Sequence, residues 1–249
     1  ITPLTKALLP VHLTGRCCRL PEILKIGRTH GIPVVEDAAQ SVTARVGNMT
    51  AGSGGVMGCF SLHPLKNLNA VGDAGVITTN DDELAAKLRL LRHHGLKNRD
   101  EVESWGYNSR LDTVQAAVLR TRLPRLKTYL EKRRINAARY TKALSNLVTC
   151  PEDTSERPHT YNVYVIQLDK RDDLQEFLLN RGIETKIHYP IPIHLQKAAA
   201  YFNYPLGSLP RTEEQSGRIL SLPVHPYLSN DQVDWVIESI RAFLNYFAW

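Results

Sequence analysis

The sequence predicts an α/β protein whose first domain holds a largely parallel sheet and whose second is a smaller α+β domain. Two observations predict this. Over the first 80 residues, short apolar runs alternate with helically spaced stretches, the rhythm of strand–helix–strand units. Beyond a long helical segment that rhythm gives way to isolated strand and helix patterns. The length of 249 residues suffices for one large domain or two modest ones. The division is expected at 125/126, giving domains 1–125 and 126–249.

Taken in order, Lys6 to Leu13 (KALLPVHL) reads as a buried strand. Leu20, Ile23, Leu24 and Ile26 carry helical spacing through Leu20 to His30, and Gly31 supplies a helix stop. Pro33 to Glu36, Cys59 to Leu62 and Val76 to Thr79 are short apolar strands. Asp81, Asp82 and Glu83 place acids where a helix dipole favours them, opening a helix to about His93 that ends at Gly95. Leu111 to about Asn146 is mostly helical, with Pro124 expected to kink or split it. Tyr161 to Leu168 and Ile183 to His188 read as strands, flanking a helix from Asp172 to Arg181 capped by Gly182. Ser229-Asn230-Asp231-Gln232 is a capping-box pattern. Val233, Val236, Ile237, Ile240, Phe243 and Leu244 then mark one helical face.

Composition narrows the function classes. With 43% hydrophobic and 22% charged residues the chain is an ordinary globular one, and no run of about 18 apolar residues suggests a membrane span. The formal charge of +6 would attract nucleic acid, membrane or phosphorylated small molecules. Its densest basic stretch, Arg122, Arg125, Lys127, Lys132, Arg133 and Arg134, lies on the helical segment and reads as a solvated face. No aromatic residues interleave it in the manner of a single-strand binder, so neither nucleic acid nor membrane is expected as a partner. Cys17, Cys18, Cys59 and Cys150 make no CxxC pair, zinc site or disulfide framework, which fits a reduced, cytoplasmic setting; no metal is expected. The N-terminal Ile1-Thr2-Pro3-Leu4 carries neither Met nor a signal-peptide pattern, so the chain is expected to begin partway through a longer protein.

Three features of the first domain carry chemistry. Asp37 stands at the carboxyl end of a buried strand, where open α/β sheets place ligand-binding groups. Lys66 lies in a loop beyond another strand, in CFSLHPLKNL. Gly72-Asp73-Ala74-Gly75 turns into the next strand. A pyridoxal phosphate enzyme needs a lysine amine for a Schiff base, a carboxylate for the pyridine nitrogen, and a hydroxyl or N–H group for the phosphate. Lys66, Asp37 and Ser61 are of the right types. Spacing alone leaves the plain readings open, a solvated lysine and a helix-capping carboxylate. The run Ala51-Gly52-Ser53-Gly54-Gly55 completes no phosphate-loop or dinucleotide fingerprint and reads as a flexible turn.

The segments PVHLTG (10–15), VVEDAAQS (34–41), GCFSLHPLKNLNAVGDAGVITTND (58–81), LRHHG (91–95) and GYNSRLDTVQAAVL (106–119) resemble, in order, the motifs of the DegT/DnrJ/EryC1/StrS aminotransferase family. The likeness continues through LNRGIETKIHYPIPIH (179–194) and LSLPVHPYLS (220–229). It implies the fold-type-I architecture of pyridoxal 5'-phosphate aminotransferases, here an incomplete large domain with a mostly parallel sheet plus a smaller C-terminal α+β domain. It implies transfer of an amino group, usually from glutamate, onto a keto sugar nucleotide, as in polysaccharide or antibiotic sugar biosynthesis. By position, Lys66 matches the catalytic Schiff-base lysine, Asp37 the partner of the pyridine nitrogen, Gln40 a residue near the ring and its O3′ oxygen, and Ser61 a phosphate ligand. Asn108 matches a residue reaching the phosphate from the second subunit of a homodimer. Arg110, His188 and His194 are candidates for substrate contact, each with a structural role as the alternative. Family members carry a long portion before PVHLTG, including a phosphate-binding turn and a ring-stacking aromatic, so the chain corresponds to their C-terminal two-thirds. Two other readings are an inactive fragment serving as a dimerisation module and a sugar dehydratase of the same fold. In such dehydratases a histidine replaces the lysine, and Lys66 stands against that.

Overall fold

The structure is a computed structural model describing residues 1–246. It consists of two compact units, the first being Ile1–Leu130 with Asp153–Asn162 and the second Glu131–Glu152 with the chain from Val163 onward.

In the first unit, helix α1 (Leu20–His30) forms as its spacing predicts. Pro21 sits in its first turn, Leu20 and Leu24 point into the core, and Gly31 closes it in the left-handed conformation at φ 63°. Next come β1 (Val35–Asp37), β2 (Arg45–Val46), β3 (Met49–Thr50), β4 (Met57–Ser61) and β5 (Gly75–Thr78). The main sheet has the order β1-β4-β5. β1 and β4 are parallel with Asp37 opposite Cys59, and β4 and β5 are antiparallel with Cys59 opposite Ile77. Sheet β2–β3 is a hairpin across Gly47 and Asn48, a turn pair whose signal the sequence reading did not use.

The stretch Lys6 to Leu13 is not a continuous buried strand. It meets β1 and the residue before it only at two parallel bridges, Leu8 to Val34 and Val11 to Asp37. Pro10 between them has no N–H to give a ladder, although its carbonyl accepts from Asp37 N at 2.9 Å. Leu9, Val11 and Leu13 are exposed. The core of this unit gathers Leu20, Leu24, Val34, Ala38, Ala44 and Val46.

Helix α2 (Asp82–Arg92) starts where its acids indicate: the Asp81 carboxylate accepts from Leu84 N at 3.0 Å. Helices α3 (Thr113–Arg122) and α4 (Leu126–Leu144) are separated by a 3-10 turn over Leu123–Arg125, the split expected at Pro124. The chain leaves the first unit inside α4, at 130/131 rather than 125/126, and 153–162 returns to it.

The second unit pairs β6 (Tyr164–Gln167) with β7 (Ile219–Leu222), antiparallel, beside α5 (Arg171–Leu179), α6 (Pro210–Arg218) and α7 (Asn230–Tyr246). Tyr140, Tyr164, Leu174, Leu220, Ile240 and Phe243 fill its core. Ile183 to His188 is not a strand. It touches β7 only at the Lys186–Ser221 bridge, and Pro190 and Pro192, which follow directly, cannot donate to a ladder. Among the described residues no helix is long and apolar enough to cross a membrane, and no cluster of His, Cys, Asp and Glu is arranged to hold a metal.

Candidate active site

Asp37 ends β1 and Lys66 follows β4, so both leave the carboxyl edge of a parallel strand pair. The two side chains feel each other's charge. Burial pushes the half-buried Lys66 ammonium below the usual lysine range, and the Asp37 carboxylate opposes that shift. Among the described residues the Lys66 amine has neither hydrogen-bond nor ion-pair partner, while one Asp37 oxygen accepts from Ala39 N at 2.9 Å.

The lysine loop is fastened from several sides. Lys66 N donates to His63 O at 2.9 Å. Buried Asn67 donates to Thr160 O at 2.9 Å, and Asn69 donates to Pro64 O at 2.6 Å. Arg122 donates from α3 to both oxygens of Asn69, at 2.8 and 2.7 Å. Sequence reasoning missed these anchors, because an asparagine beside a lysine gives no sign of burial.

Gln40 is 9% exposed, and its Oε1 accepts from Thr14 N at 2.6 Å. Thr14 presents that N–H from a left-handed conformation, φ 64°, and its hydroxyl lies 3.2 Å from His159 Nε2. With Oε1 occupied, the Gln40 amide nitrogen remains as a donor. Ser61 closes β4 opposite Gly75, and its hydroxyl is only loosely engaged, 3.4 Å from His63 N.

Beneath Asp37 lies a second arrangement. Glu36 is fully buried and accepts from His12 Nε2 at 2.8 Å, Gly52 N at 2.7 Å, Gly54 N at 2.8 Å and Gly55 N at 2.7 Å. Burial pushes its carboxyl up, but His12 and the three amides outweigh burial and hold it below its ordinary value. The glycine-rich turn thus does cradle an anion, and the anion is the protein's own. A Cβ on Gly52 would stand 2.3 Å from the Phe60 ring, and one on Gly55 2.3 Å from Val34 O, so the close wrap requires glycine at both.

The other sequence-selected residues lie elsewhere. Asn108 and Arg110 are exposed in the first unit, where Arg110 Nε donates to Asn108 Oδ1 at 3.1 Å and Nη1 lies 3.4 Å from His93 Nδ1. His188 and His194 belong to the second unit. His188 Nδ1 is 2.8 Å from Ser221 Oγ. His194 is buried, with Nε2 2.9 Å from Glu213 Oε1, and this pairing accounts for its burial.

A half-buried amine, a carboxylate at the same sheet edge, a side-chain amide and a loosely engaged hydroxyl are of the types that fit pyridoxal phosphate: amine to aldehyde, carboxylate to ring nitrogen, N–H to ring oxygen, hydroxyl to phosphate. Known proteins resemble the chain over nearly all of its length. The chain is 43% identical to a pleiotropic regulatory protein of Geobacillus stearothermophilus, which it covers over 68% with its whole length. It is 41% identical to a dTDP-3-amino-3,4,6-trideoxy-alpha-D-glucose transaminase of Streptomyces venezuelae, over 98% of this chain and 65% of the relative. The crystal structure of S. venezuelae DesV in complex with a ketimine intermediate superposes with a TM-score of 0.94 at 40% identity, over 98% of this chain and 66% of that one. The chain thus spans about two thirds of the length of these relatives. The model of the DegT/DnrJ/EryC1/StrS aminotransferase family matches residues 1–241, and the chain belongs to that family.

Proposed function

We propose that the protein is a pyridoxal 5'-phosphate-dependent aminotransferase that moves an amino group, from glutamate as donor, onto a keto sugar nucleotide. The observation that carries this reading is the placement of Asp37 at the end of β1 and of Lys66 in the loop after the parallel strand β4, at one edge of the sheet. The cofactor, when bound, supplies an aldehyde that condenses with amines and a ring that accepts electrons. Lys66 would bind the aldehyde through its amine, and its depressed pKa favours the unprotonated, nucleophilic form. Once displaced by the donor amine, Lys66 would be the group at hand to move a proton at the substrate carbon. Asp37 would hold a proton on the ring nitrogen, and Gln40 would donate to the ring oxygen. Ser61 would bind the phosphate, and Asn108 would reach the phosphate held by a second copy of the chain in a homodimer. Arg110 stands beside Asn108 as a contact for the substrate. The transaminase relatives and the four free cysteines support a place in cytoplasmic sugar biosynthesis.

The test is titration of the purified chain with pyridoxal phosphate, followed by borohydride reduction and peptide mapping. The label is expected on Lys66, with visible absorbance that Lys66→Ala abolishes and Asp37→Ala shifts. Glutamate-dependent amination of a keto sugar nucleotide should disappear with Lys66→Ala. A label on another lysine, or normal turnover by Lys66→Ala, would refute the assignment.

A further inference from the structure

The segment Asp153–Asn162 belongs to the first unit and is tied to two parts of the candidate site. Thr160 N and the Thr160 hydroxyl both donate to Gly15 O, at 2.8 and 3.0 Å, and Thr160 O accepts from Asn67, the neighbour of Lys66, at 2.9 Å. The approach is so close that a Cβ on Gly15 would stand 2.7 Å from the Thr160 hydroxyl. The segment is also stiffened from within. The Asp153 carboxylate accepts from His159 N at 2.8 Å and from the Tyr161 hydroxyl at 3.0 Å. The His159 and Tyr161 rings stack with centroids 4.2 Å apart, and His159, Thr160 and Tyr161 are all buried.

Donor types fix the direction of each hydrogen bond from this segment to Gln40. Tyr161 N can only donate, and it donates to His159 Nδ1 at 2.9 Å, so the ring carries its proton on Nε2. Nε2 lies 3.2 Å from the Thr14 hydroxyl, which itself donates to Leu13 O at 2.6 Å and therefore accepts from the histidine. Thr14 N donates in turn to Gln40 at 2.6 Å. A backbone N–H cannot accept, so the Gln40 atom facing it is the oxygen. The Gln40 amide nitrogen, with no partner among the described residues, is left as the donor. Thr14 stands at φ 64° and ψ −8°, a conformation that a β-branched residue keeps only when its surroundings hold it there.

We propose that His159 is a positioning residue for the reaction: through the Thr14 hydroxyl it holds that left-handed turn, and through Thr14 N it fixes Gln40 with its oxygen engaged and its amide nitrogen available to the cofactor's ring oxygen. Its part in the reaction rests on the reading of Gln40 given above, whereas the chain of hydrogen bonds does not. Without the His159 donor, Thr14 relaxes toward an ordinary conformation and its N–H leaves the Gln40 oxygen. The Gln40 amide can then flip. A flipped amide would set its oxygen against the ring oxygen, two acceptors with no proton between them. His159 acts in this way through Thr14 and Gln40 rather than on the reacting atoms.

The experiment reads hydrogen exchange of the amide at position 14 in the cofactor-free full chain, and the pH midpoint of the visible band when pyridoxal phosphate is bound. His159→Phe keeps a ring to stack on Tyr161 but has no ring N–H. Its amide at position 14 is expected to exchange at least about tenfold faster, the effect of losing a buried hydrogen bond. The midpoint of its band should move in the same direction as in Gln40→Ala. Thr14→Val, which removes only the hydroxyl, should give both effects and serves if His159→Phe fails to fold. Adding Thr14→Gly to His159→Phe should bring the midpoint back, because glycine is left-handed without strain and holds Gln40 unaided. A purely structural loss would not be rescued in this way. Unchanged exchange in both single variants, or a band that moves in Gln40→Ala but not in His159→Phe, overturns the proposal. A band absent from the unsubstituted chain would refute the cofactor reading, and the part of His159 in the reaction with it. That failure is distinct, because the exchange measurement needs no cofactor.

Discussion

Adjacent carboxylates at the end of β1 do opposite work. Glu36 is fully buried and held by His12 and three glycine amides, whereas Asp37 ends the strand at the sheet edge and its carboxylate accepts there only from Ala39 N among the described residues. Glu36→Gln leaves His12 buried without its counter-charge and removes charge-assisted bonds to the Gly52–Gly55 turn. Breaking such a pair from one side costs about 3–5 kcal/mol, and a drop of that order in chemical-denaturation stability is expected; a change within error would show that the pair contributes nothing net. The same pair sets a pH window. Glu36 lies below its ordinary value of 4.5, so its contribution is complete above that pH and is lost as pH falls through the folded-state value. His12 is raised from 6.5 to about 9: burial opposes the rise, and the contacts with Cys18 and Glu36 outweigh it. Its contribution is complete below 6.5 and is lost as pH rises through about 9. Urea midpoints should therefore be flat between those two ordinary values and decline on either side, more shallowly in Glu36→Gln. At this scale the sequence showed Asp37 and Lys66 through motif likeness, since side-chain type and strand position suffice for them. It did not show Glu36 as the anion inside the glycine turn, because that pairing joins residues 16 to 19 positions apart through the fold.

Elements were legible where local chemistry alone decides them. Helix α1 runs over the residues its spacing marks, since Leu20, Leu24 and Gly31 fix its face and its end without help from distant contacts. Helix α7 begins at its capping box, with both halves made: Gln232 N donates to Ser229 Oγ at 3.2 Å, and Ser229 N donates to Gln232 Oε1 at 2.9 Å. Ser229→Ala removes the cap and should lower stability by about 1 kcal/mol. The matching loss of amide protection should be confined to the first turn of α7 in hydrogen exchange, and unchanged protection there would show that the cap is idle. Strands were less legible, because a strand exists only through its partner. Lys6–Leu13 and Ile183–His188 have strand-like patterns, yet prolines within or after them restrict pairing to isolated bridges. β7 was overlooked for the converse reason: its pairing with β6 comes from a segment more than fifty residues away.

At the scale of the whole molecule, the exposed apolar side chains of the first unit bear on assembly. Between Val102 and Val114 four large ones face outward: Val102 is 55% exposed, Trp105 94%, Tyr107 72% and Val114 70%. Asn108, the residue matched to a cross-subunit phosphate contact, lies in the same stretch. Soluble monomers seldom leave several large apolar groups open in one segment, and exposed aromatics are the usual anchors of protein interfaces. Closed two-fold assemblies are the commonest outcome when one surface meets its own copy. A homodimer through this segment would bury Trp105 and bring Asn108 to the second copy's phosphate. Trp105→Ala should then weaken dimerisation at least about tenfold, the effect of losing roughly 1.4 kcal/mol or more at an interface anchor. Asn108→Ala should leave sedimentation unchanged and weaken cofactor binding, which separates assembly from phosphate contact. Sedimentation velocity over a concentration series, run beside cofactor titration, reads both effects. A wild-type chain that sediments as a monomer at every concentration while binding cofactor tightly would rule out a site completed across subunits, and Asn108 would then be a surface residue bridged to His93 with its side chain accepting from Arg110.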